Sequence, residues 1–71
     1  MRVNIRLDTM TDVQDFIKVT SAINENVLLE DEEGHRVSAK SLLGALYSME
    51  WVSTACVCDS DISGMIVKWI I

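Results

Sequence analysis

The 71-residue chain has no proline, a single histidine, three glycines and four aromatic side chains. Without proline there is no proline-rich recognition segment. No linker, internal repeat or low-complexity tract divides the chain, so its length corresponds to one domain. It also lacks any apolar run of the roughly 18 or more residues that a membrane-spanning helix needs. The opening residues, MRVNIRLD, lack the apolar core of a signal peptide, so the expected location is cytoplasmic. Positive charge is scarce too. Six basic residues (Arg2, Arg6, Lys18, Arg36, Lys40, Lys68) are scattered among eleven acidic ones, giving a net charge of −5. Nucleic-acid binding needs clustered cations to displace counterions, so it is excluded. A domain this small buries only about 60% of the surface its unfolded chain exposes, so modest stability is expected.

Cysteine is limited to Cys56 and Cys58. Two apart in a strand, they point to one face. They are too close in sequence for an ordinary stapling disulfide. With only the distant His35 beside them they form a poor zinc set. Reduced thiols packed as small apolar groups are expected, with no metal and no cofactor.

The most informative stretch is residues 37–49, VSAKSLLGALYSM. Val37 and Ala39 alternate as in a strand. Leu42, Ala45, Leu46 and Met49 then recur at i, i+3, i+4 and i+7, one face of a short buried helix. Ser41 falls at the change of period, the position of an N-cap. Gly44 inside this helix costs about 1 kcal/mol against alanine, which implies a close backbone approach.

Before that stretch, residues 2–7 alternate with Val3, Ile5 and Leu7 on one side, a half-buried strand. Asp8, Thr9 and Thr11 are N-cap candidates, and Thr11 with Gln14 has the capping-box pattern. Val13, Phe16, Ile17, Thr20 and Ile23 predict a helix over residues 13–24. A turn at 24–26 leads to a second strand at 27–30. The acidic tip Asp31-Glu32-Glu33-Gly34 reads as a solvated reversal, with Gly34 supplying the permissive backbone. A third strand covers residues 35–39. After the Ser41 helix, residues 52–58 predict a fourth strand, of which either face is a candidate for burial. Asp59, Ser60 and Asp61 are expected to cap a last helix whose apolar face is Ile62, Met65, Ile66, Trp69 and Ile70.

The order is β-α-β-β-α-β-α, and helices must cover one face of the sheet. Lys40, Ser41, Leu42, Leu43 and Gly44 resemble the lysine-serine-aliphatic-aliphatic-glycine segment around the regulatory serine of the HPr family, the small phosphocarriers of the bacterial sugar phosphotransferase system. The family shares this element order. The resemblance implies an α+β, open-faced two-layer sandwich with an antiparallel sheet of order 1-4-2-3 and three helices on one face.

In that family a histidine before the first helix carries the phosphoryl group, within a glycine-leucine-histidine-alanine-arginine-proline context. Counting back from Ser41, the histidine position here is Met10, the arginine position Asp12 and the proline position Val13. Methionine accepts no phosphoryl group, and Asp12 repels the phosphate an arginine would hold. The activity is therefore not carried over, and no catalytic residue is expected. The resemblance points to the subgroup that lacks the histidine and keeps only the serine switch. It implies phosphorylation at Ser41 by an HPr kinase and binding of a protein partner such as a transcriptional regulator. Lys40, Leu42, Leu43, Leu46 and Tyr47 are the implied contact residues. The bland alternatives are that Ser41 only caps a helix and that the leucines are core. Trp51 is a second contact candidate, or a plug at the end of the core. A rival function is a phosphocarrier with a non-standard acceptor, His35 or a carboxylate, and a third is a degenerate copy of the family. A monomer or weak homodimer is expected.

Overall fold

The alternation of the first strand sets the layers. In the computed structural model, which describes all 71 residues, the chain forms β1 (Arg2–Ile5), α1 (Met10–Ser21), β2 (Val27–Glu30), β3 (Arg36–Ser38), α2 (Leu42–Ser48), β4 (Thr54–Cys58) and α3 (Ser63–Ile66), the last followed by a 3-10 turn, Val67–Trp69. The sheet is antiparallel with order β1-β4-β2-β3 and carries three helices. Element order is the one read from the residues, and strand order is the one the resemblance implied.

Because opposed residues share a face, the register divides the strands cleanly. Val3, Ile5, Val27, Leu29, Val37, Thr54, Cys56 and Cys58 fall on one side. There they join Val13, Phe16, Ala45, Ile66 and Trp69 in the core. Trp69 meets Phe16 edge to face, ring centres 5.3 Å apart, a favoured aromatic geometry. The open side carries Arg2, Asn4, Leu28, Glu30, Arg36, Ser38, Ala55 and Val57. On it the Glu30 carboxylate is gripped by Arg36 on the neighbouring strand (2.5 Å) and by Arg2 reaching across β4 (2.7 Å). Both cysteines are free and buried on the core side, as small apolar residues would be.

Thr20, wholly buried, ties the layers together. Its hydroxyl donates to the carbonyl of Ala39 at 2.9 Å, just before α2. At the far edge the chain end closes β1: Ile70 bridges Ile5, and Arg6 N–H donates to the Trp69 carbonyl. The β2–β3 reversal places Gly34 at φ 89°, the left-handed region glycine tolerates.

Several expectations are corrected. Helix α1 starts three residues earlier than the apolar stripe suggested, because Thr9 caps it. Thr9 Oγ1 accepts from Asp12 N–H, and the Asp12 carboxylate accepts from Thr9 N–H, a reciprocal box that displaces the Thr11–Gln14 candidate. The acidic tip is organised rather than merely solvated. Asp31 accepts from the N–H groups of Glu33 and His35, and Glu32 accepts from Ser53 N–H and hydroxyl. Strand β3 is shorter than residues 35–39. The final helix is a single turn that tightens to 3-10, and Met65, expected on its apolar face, is 61% exposed. Asp61 does not cap it; it accepts instead from Ser63 N–H and hydroxyl. No helix is long and apolar enough to cross a membrane.

Candidate docking surface

Ser41 stands at the N-cap of α2 in extended conformation (φ −95°, ψ 126°). Its hydroxyl oxygen accepts from Gly44 N–H at 3.1 Å, and its carbonyl accepts from Ala45 N–H at 2.9 Å. The N–H groups of Leu42 and Leu43 have no intramolecular partner, as the first turn of any helix requires. Ser41 is only half-buried, so a group attached to its oxygen would reach solvent beside those two donors. Lys40 is less free than its charge suggests. Its ammonium donates to the carbonyl of Ile23 beyond the end of α1, and its N–H to the Ser38 hydroxyl.

The buried face of α2 is Gly44, Ala45 and Ser48, three small residues. A Cβ on Gly44 would stand 2.8 Å from the Ser38 carbonyl oxygen and 3.2 Å from Val37 Cβ, so only glycine lets the helix lie this close to β3. Close seating on small residues turns the larger ones away. Leu42, expected in the core, is 50% exposed; Leu43 is 64% and Tyr47 61% exposed. Leu46 and Met49 are half-buried against the edge of the core. Leu43, Leu46, Tyr47 and Glu50 line an open groove of about 220 Å³. The five implied contact residues therefore divide. Leu42, Leu43 and Tyr47 share the outward part of α2, Leu46 sits half-buried at its margin, and Lys40 is turned toward α1. Glu50, the groove's one charged residue, is not among the residues that the sequence singles out. Its place two residues beyond the helical stretch, three beyond Tyr47, was the available signal.

The start of α1, the other position singled out by the resemblance, has different chemistry. Met10 is its first residue and is 47% exposed. The Asp12 carboxylate accepts from both Asp8 and Thr9 N–H, and these bonds hold its pKa below the ordinary value. A negative charge is thus already seated at the positive end of the helix, where an arriving phosphate would meet repulsion. His35 lies on the β2–β3 reversal, its ring exposed and its Nδ1 2.9 Å from Asp31 Oδ2. That hydrogen bond and the Asp31 charge raise its pKa. Glu33 lies 4.0 Å away.

Trp51 is half-buried against the core and lines a second cleft, with Arg6, Leu7, Met49 and Thr54, between β1 and the α2–β4 connection. Burial, and then the neighbouring Cys58, push the Cys56 thiol up to about 11, which removes it from nucleophilic chemistry at neutral pH. No protein-family model, no curated protein and no solved structure matches this chain.

Proposed function

We propose that this chain is a non-catalytic, HPr-like interaction module of a bacterial cytoplasm that docks a protein partner through the outer face of α2, with phosphorylation of Ser41 as its switch. The observation that carries the reading is the exposure of Leu42, Leu43 and Tyr47 on one seven-residue helix whose fully buried residues are the small Gly44, Ala45 and Ser48. A helix seated on its small residues while two leucines and a tyrosine face water is a surface suited to protein contact. Ser41 adjoins it, with two free N–H donors beside its hydroxyl.

The phosphocarrier alternative has less support. Met10 occupies the acceptor position, and Asp12 fills the anion-binding end of α1. His35 has carboxylates on two sides and no helix N-terminus behind it.

Incubation with an HPr kinase and ATP, followed by mass spectrometry, tests the switch. One phosphoryl group on Ser41, absent from Ser41→Ala, is expected; an unmodified chain would leave a docking module without a switch. Affinity capture with Ser41→Asp and Ser41→Ala then reports which state the partner prefers.

A further inference from the structure

Resting on the docking reading, we infer that the partner is basic: the segment that enters the α2 groove carries an apolar side chain flanked by lysine or arginine. The groove is lined by Leu43, Leu46, Tyr47 and Glu50, so one carboxylate stands on an otherwise apolar wall. The nearest cation along the chain, Lys40, is tied to the Ile23 carbonyl and does not neutralise it. Glu50 makes no ion pair and no side-chain hydrogen bond, and it is exposed. Four of the six basic residues, Arg2, Arg6, Arg36 and Lys68, are committed elsewhere, to Glu30, Asp8 and Asp15. With a net charge of −5 behind it, the groove attracts cations and repels acidic segments. A phosphoryl group on Ser41 would add negative charge at the opposite end of the same short helix. The two charges, one at the N-cap and one just past the end of the helix, would then stand on either side of the apolar groove, roughly 13–14 Å apart at about 1.5 Å per residue. Phosphorylation is therefore expected to strengthen binding of a segment with basic residues on both sides of its apolar anchor.

The test is a displayed library of random peptides selected on the whole chain, with counter-selection on Leu43→Asn, which removes the apolar wall without adding charge, so that only groove-dependent binders remain. Enrichment of peptides with lysine or arginine beside a leucine or aromatic residue is expected. A synthetic copy of the leading peptide should lose about three- to tenfold in affinity for Glu50→Lys and regain it when its own basic residue is changed to glutamate. Groove-dependent peptides that are neutral or acidic would overturn the inference while leaving the docking surface standing. An absence of groove-dependent peptides would overturn both. So would sedimentation showing a dimer that Leu43→Asp dissociates, because the groove would then belong to a second copy of this chain.

Discussion

The α-carbon of Gly44 faces the carbonyl oxygen of Ser38 so closely that a Cβ there would sit 2.8 Å from it, with the Val37 side chain at 3.2 Å. This contact decides which side of α2 is inside. The obstructing atom is backbone, which cannot rotate aside, so the helix would have to lift. Alanine gains about 1 kcal/mol of helix propensity, but overpacking of this kind costs about 1–3 kcal/mol. Gly44→Ala is expected to lower the urea midpoint and to shift the amide resonances of Leu43 and Tyr47. A raised midpoint would show that the approach is looser than described.

The cap of α1 gives a sharper comparison. Thr9→Ala removes the acceptor of Asp12 N–H and should cost about 1 kcal/mol. Thr11→Ala, one turn position inside the helix and exposed, should stay within about 0.5 kcal/mol of wild type. Equal effects in thermal unfolding would place the cap at Thr11 instead.

Glu30 links acid stability to the open face of the sheet. The hydrogen bonds from Arg2 and then Arg36 hold its pKa below the ordinary 4.5. The folded state therefore resists protonation more than the unfolded chain does. The stabilisation is complete above pH 4.5 and is lost as pH falls through the lower, folded value. Glu30→Gln should flatten the fall of Tm below pH 4.5. A parallel fall in variant and wild type would contradict the arginine clamp.

His35 works in the opposite direction. Its hydrogen bond to Asp31 raises its pKa above 6.5, so the pair contributes fully below pH 6.5 and fades as pH rises through the raised value. A proton-detected titration should place His35 above 6.5, and Asp31→Asn should bring it back. A ring that titrates at 6.5 in both proteins would mean that the pair does not form in solution.

Much of the scaffold is legible in the residues. Val3, Ile5 and Leu7 announce their face by period alone. Ser41 marks a change from strand to helix period, and Gly44 signals the close approach that the packing shows. What misleads is the assumption that the most apolar stripe of a helix faces inward. In α2 the tight seat on β3 admits only Gly44, Ala45 and Ser48, so Leu42 is turned out. Thr9 rather than Thr11 caps α1 because Asp12 can close the reciprocal box from N3, a pairing hidden when only glutamate or glutamine is sought there. Met65 is exposed because the final helix ends after one turn, so that Ile70 can reach Ile5 on the edge of β1. That constraint comes from a strand sixty-five residues away in sequence, and no local window contains it. The face of β4 was undecidable for a related reason. The strand is central, and Ala55 on the open side is nearly as buried as Cys56 on the core side.

Affinity capture from cells that make the protein, with wild type and Leu43→Asp as parallel baits, tests the docking surface most directly. Leu43 is 64% exposed, so the variant should keep the wild-type Tm within about 4 °C. The account predicts a protein retained by wild type and lost from Leu43→Asp. Equal retention by two equally folded baits would contradict it.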